Sequence, residues 1–123
     1  MRPTIILLVE DEPVIALDVK HRLEREGHRV LCADQLDDAL WLCMHHQPGL
    51  ALVNFRMSGS TDGMAFARLL QARFQLPVWL MTGARSQDLS GSPNFDARFK
   101  VLYKPFTRHQ LEVFLRESKQ DID

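Results

Sequence analysis

Apolar residues along this chain follow two alternating patterns. Five short, mostly apolar runs are too brief for helices and rich in β-branched residues: Ile5–Val9, Arg29–Ala33, Leu50–Phe55, Val78–Thr82 and Phe99–Tyr103. Runs of this kind read as strands buried on both faces, as in a parallel sheet. Between them the spacing widens to three or four. Ile15, Val19 and Leu23 mark a helix from Pro13, suited to a first helical position, to a stop at Gly27. Leu36, Leu40, Cys43 and Met44 mark a second, with Asp34 as its expected N-cap. Phe66, Leu69, Leu70 and Phe74 mark a third. A last helix opens on the capping pair Thr107 and Gln110, turns Leu111 and Leu115 inward and runs to about Lys119. The stretch from Gly83 to Arg98 carries Ser, Gly, Pro and Asn where the alternation calls for a fourth helix, so that helix is expected to be short or irregular.

Strands alternating with helices imply an α/β fold, with helices on both faces of a parallel sheet. With 123 residues, 46% hydrophobic and 25% charged, the whole chain (1–123) is expected to be a single soluble domain without an attached output domain. A net charge of -1 offers no basic field for nucleic acid and no polybasic face for a membrane. No apolar run approaches the roughly 20 residues that span a bilayer. Cys32 and Cys43 lack metal-ligand spacing and sit among apolar neighbours, so both are expected to be reduced core thiols of a cytoplasmic protein.

Polar residues are sparse within the strands and gather where the strands end. Glu10, Asp11 and Glu12 follow the first strand, Asn54 closes the third, Thr82 the fourth, and Lys104 follows the fifth. In open α/β sheets ligands bind at these carboxyl ends. Each residue has a plainer reading alone: acids at a helix start complement its dipole, a strand-end threonine satisfies backbone, a lysine is solvated. Their convergence on one edge weakens those readings together. Paired carboxylates are also hard oxygen ligands suited to Mg²⁺.

Leu7-Leu8-Val9-Glu10-Asp11-Glu12, the strand around Asn54, Asp62-Gly63, Met81-Thr82-Gly83 and Tyr103-Lys104-Pro105-Phe106 resemble, in order and spacing, the receiver domain of two-component response regulators. The resemblance covers almost the whole chain. It implies a flavodoxin-like, doubly wound (βα)5 fold with a five-stranded parallel sheet in the order 2-1-3-4-5, and a strand-three aspartate that accepts a phosphoryl group from a histidine kinase. By the same resemblance Glu10 and Asp11 match the Mg²⁺-binding acids, and Arg56 the position whose backbone carbonyl binds the metal. Thr82 matches the hydroxyl that follows the phosphoryl group and Lys104 the lysine that pairs with it. Val101 falls where an aromatic switch residue is common, and Pro105 matches a proline usually preceded by a cis peptide.

Asn54 occupies the phosphoacceptor position. A carboxamide is neutral and its nitrogen lone pair is delocalised, so it is a very poor nucleophile for phosphoryl transfer. The missing negative charge should also weaken Mg²⁺ binding. Ser58 replaces a usual proline, and the Arg56 guanidinium is a candidate stand-in for the metal, against the plainer expectation that it faces solvent. The expected function is therefore a receiver module of a two-component or phosphorelay pathway that is not phosphorylated at residue 54, is not an enzyme and acts through protein contacts. Expected partners are a histidine kinase or another signalling protein, with homodimerisation through the face of the fourth helix, fifth strand and last helix. Two alternatives stay open: an ordinary phosphoacceptor receiver with an engineered Asp-to-Asn change, and a flavodoxin-like cofactor carrier or metal-dependent phosphatase. Flavin is not expected, because Glu10-Asp11-Glu12 repels phosphate where a flavin site needs a neutral loop.

Overall fold

The apolar runs assemble into one parallel sheet in the order β2-β1-β3-β4-β5, with β1 Ile5–Val9, β2 Arg29–Ala33, β3 Leu50–Asn54, β4 Val78–Thr82 and β5 Lys100–Tyr103. The computed structural model describes residues 4–57, 62–83 and 95–122. Among the described residues four helices connect and cover the sheet: α1 Pro13–Arg25, α2 Leu36–His46, α3 Gly63–Phe74 and α4 Arg108–Ile122. The fourth helix expected within 83–98 falls largely outside the described residues.

Strand alternation divides the core into two layers. Leu7, Val9, Val53 and Leu80 pack with Ala39 and Cys43 of α2 and Met64, Phe66 and Leu70 of α3. Ile6, Leu8, Leu52 and Met81 point the other way, onto Val19 and Leu23 of α1 and Leu111, Phe114 and Leu115 of α4. Every residue of β3 is buried, as a central parallel strand with helices on both faces requires. Trp79 packs edge-on against Phe114 with ring centroids 4.9 Å apart, locking β4 to α4.

Local signals explain the helix ends. Pro13 is the first residue of α1, and Gly27 at φ +94° supplies the left-handed turn beyond it. Thr107 and Gln110 form the reciprocal capping box: the Thr107 amide donates to Gln110 Oε1 at 2.8 Å and the Gln110 amide to Thr107 Oγ1 at 3.1 Å.

The packing corrects several expectations. Gln35, not Asp34, sits at the α2 cap position, without a side-chain cap bond, and Asp34 is exposed. Met44 is 57% exposed, and Ala39 takes the buried place on α2. Leu69 likewise points outward while Ala67 is buried. Cys32, on the edge strand β2, is exposed; of the two cysteines Cys43 is the core thiol. No described helix is long and apolar enough to cross a membrane.

Candidate functional site

The parallel register brings the ends of β1, β3, β4 and β5 to one edge, with Val9 beside Val53, Asn54 beside Met81 and Thr82 beside Tyr103. Each strand hands its last or next residue to that edge. Glu10 follows β1 and is 3% exposed; Asn54 ends β3 at 5%; Thr82 ends β4 at 1%. Lys104 follows β5, where its amide donates to the Thr82 carbonyl at 2.7 Å, and the bond to Pro105 is cis. Asn54 is thus brought to the same edge as Glu10, Thr82 and Lys104.

The local fold behind Asn54 depends on Gly63. A Cβ at Gly63 would collide with the backbone of Asn54 and Phe55, so α3 can seat against the end of β3 only with glycine there. The preceding Asp62 caps α3, its carboxylate accepting from the Met64 amide at 2.9 Å. The pair Asp62-Gly63 therefore positions the site without touching its chemistry.

Around Asn54 the polar groups close on one another. Lys104 Nζ donates to Asn54 Oδ1 at 3.2 Å. Asn54 Nδ2 donates to the Arg56 carbonyl at 2.8 Å and, more weakly, to Glu10 Oε1 at 3.4 Å. This set fixes the amide's orientation: flipped, it would aim N–H groups at the ammonium and its oxygen at two acceptors. Glu10 Oε1 also accepts the Glu12 amide at 3.2 Å. Glu10 Oε2 faces Lys104 Nζ at 3.5 Å, an ion pair without a well-formed hydrogen bond.

Burial pushes the Glu10 carboxyl above the usual carboxylate range; Lys104 pulls it back and the neighbouring Asp11 adds to the rise. Lys104, with 18% of its side chain exposed, is the main compensation for that buried charge. Of the acids after β1, Glu12 is exposed, and it is its backbone amide that reaches the site. The Arg56 side chain is exposed as well, so its carbonyl serves the site while its guanidinium faces outward. Val101 and Tyr103 pack half-buried on the α2–α3 side of the sheet, opposite to Leu102. The reading from sequence missed what Glu12 and Gly63 do here; the one sign was the Asp62-Gly63 pair at a helix start.

With an amide in place of a carboxylate at position 54, this donor set is weakened for Mg²⁺. A hard dication uses the acceptor directions of carboxylates and carbonyls, and the amide hydrogens of Asn54 occupy one on Glu10 Oε1 and one on the Arg56 carbonyl. Among the described residues no group of three or more His, Cys, Asp and Glu side chains could hold a metal ion. The site holds an ion pair and a fixed amide, with a carboxamide and not a carboxylate at position 54.

Residues 6–116 match the family model described as the response regulator receiver domain. Among solved structures, the chain is similar to the signal receiver domain of a modulated diguanylate cyclase from Desulfovibrio desulfuricans G20, with TM-score 0.84 and 24% identity over 98% of this chain and 97% of that one. It is also similar to the receiver domain of the PhyR response regulator from Erythrobacter litoralis, with TM-score 0.81 and 20% identity over 96% and 91%. The response regulator PhyR from Brucella abortus matches with TM-score 0.78 and 25% identity; the alignment covers 97% of this chain and 51% of that protein. At these identities the structural likeness speaks for the fold, and the family model for membership. The chain belongs to the response regulator receiver family, with asparagine at the position where the family carries its phosphoacceptor aspartate.

Proposed function

We propose that this chain is a receiver module that does not accept a phosphoryl group at residue 54 and transmits its signal through protein contacts. The single observation that carries this reading is the closed ring of Asn54: Lys104 on its oxygen, Glu10 and the Arg56 carbonyl on its nitrogen. In a phosphoacceptor site the lysine and metal offset charge on the phosphoryl oxygens while a carboxylate attacks. Here an amide takes the place of the nucleophile, and its N–H groups take up the acceptors a metal would use. Lys104 is committed to Asn54 and Glu10. Mg²⁺ binding is correspondingly weaker than it would be with aspartate at this position.

The partner on this reading is a histidine kinase or another signalling protein. One docking face is the side bearing β5 and α4, through which a second copy could also pair. The intact set of Glu10, Thr82 and Lys104 equally suits a phosphoacceptor receiver whose aspartate was exchanged by design, and one experiment addresses both. The chain and its Asn54→Asp variant are incubated with acetyl phosphate and Mg²⁺ and followed by intact mass. The expected result is no phosphoryl adduct on the chain. Stable label on residue 54 of the unaltered chain would overturn the reading, and an adduct confined to Asn54→Asp would show that the surrounding machinery is competent.

A further inference from the structure

A second feature lies beside the Asn54 ring and shares only Glu10 with it. Between the start of α1, the end of β2 and the outer side of α2 runs a groove of about 460 Å³. Its floor and walls are apolar, with Ala16 on one side and Trp41 on the other, and four carboxylates line it: Glu10, Asp11, Asp34 and Asp38. Among the described residues, no lysine, arginine or histidine lines it. Lys104 compensates Glu10 from the far side, so the charge that the rim offers a ligand is that of the exposed Asp34 and Asp38.

Trp41 is 53% exposed, an unusual setting for the largest apolar side chain. It is also held in place. His45 stacks on the indole with centroids 4.2 Å apart and planes 18° apart, and His45 Nδ1 lies 2.9 Å from the Trp41 carbonyl one turn back. Asp38 precedes Trp41 by three residues and so lies on the same face of α2. A fixed indole beside spread carboxylates matches a guanidinium on an aliphatic stem, which can lie against the ring and hydrogen-bond the acids at once. Among the described residues no three His, Cys, Asp or Glu side chains form a metal-holding group. The groove repels nucleic acid.

We infer that the groove between α1, β2 and α2 docks a basic segment of a partner protein, an arginine flanked by aliphatic residues, with the arginine between Trp41 and the Asp34–Asp38 rim. The inference takes from the proposed function only that the chain works by protein contact. A phosphoryl label on residue 54 would sink that function and leave the docking test intact.

The test uses the full chain and the peptide acetyl-Leu-Arg-Leu-Leu-Arg-Leu-amide, with a control carrying glutamate for each arginine. Binding is read from tryptophan fluorescence and from maleimide labelling of Cys32, which lines the groove and is exposed where Cys43 is buried. The arginine peptide should saturate the fluorescence change and protect Cys32, with weakening at higher salt. Affinity should fall about tenfold in the Asp34→Asn, Asp38→Asn double variant and by a similar factor in Trp41→Ala, followed there through Cys32. Circular dichroism checks that both variants stay folded. Equal binding of the glutamate peptide, unchanged affinity in the variants, or no protection of Cys32 would overturn the inference. So would a homodimer that Trp41→Ala dissolves, which would give the groove to a second copy of this chain.

Discussion

The two edges of the sheet both bury polar groups, yet they use them differently. At the amino edge, His28 is 5% exposed and its Nδ1 accepts the Thr4 amide at 3.2 Å, while the Thr4 carbonyl takes the Arg29 amide and the Ile5 carbonyl takes that of Gly49. Every one of these bonds satisfies backbone. At the carboxyl edge, side chains from three separate strand ends bond one another across sequence separations of 44 and 50 residues. Buried polarity alone is therefore no sign of a site. Closure of charged and amide side chains upon each other is, because such groups cost free energy to bury and nothing in the backbone requires them there.

The contrast breaks first at Lys104. Lys104→Met leaves Glu10 without its counter-charge and Asn54 Oδ1 without its donor. Unfolding in urea should show a loss of about 2–3 kcal/mol at neutral pH, below the cost of halving a fully buried pair because Lys104 keeps some water. The Glu10 carboxyl, already raised by burial, should rise further. A raised acid contributes stability below its unfolded value and loses it as pH rises, so the deficit of the variant should shrink on acidification.

The amino edge should respond less, and with the opposite pH sense. Burial holds the His28 imidazole below its ordinary value of 6.5, and a protonated Nδ1 would face the Thr4 amide as a second donor. A depressed histidine contributes stability that is present above its unfolded value and is lost as pH falls, so the chain should weaken below about pH 6.5. His28→Leu should cost about 1 kcal/mol at neutral pH by leaving the Thr4 amide unpaired, and should flatten that acid-side loss. If the variant keeps the same pH slope, His28 is not its source.

These two edges were unequally legible in the sequence. The apolar runs specify the strands because a parallel sheet buries both faces, and the polar residues at the carboxyl ends announce the site by their position alone. Asn54 was legible as a missing nucleophile. What its amide gains was not, since the bonds to Glu10 and the Arg56 carbonyl depend on distances set by the register of β1 against β3. His28 left no signal, because a histidine after a helix-ending glycine reads as solvated. On α2 the apolar spacing nominated Met44, but Ala39, small enough to let the helix approach the sheet, is buried there together with Cys43. The same geometry turns Met44 and Trp41 outward, and it leaves Cys32 on an edge strand open to the groove.

On the proposed function the Asn54 amide replaces both the nucleophile and the need for a metal. Thermal unfolding of the chain and its Asn54→Asp variant, each in EDTA and in saturating Mg²⁺, separates this from a metal-dependent site. In the variant, a second carboxylate beside Glu10 loses the N–H bonds and meets like charge, so its midpoint should drop in EDTA and recover with Mg²⁺ through linked binding. The unaltered chain should unfold at the same temperature in both. A saturable Mg²⁺-dependent rise in its midpoint, comparable to that of the variant, would contradict the account.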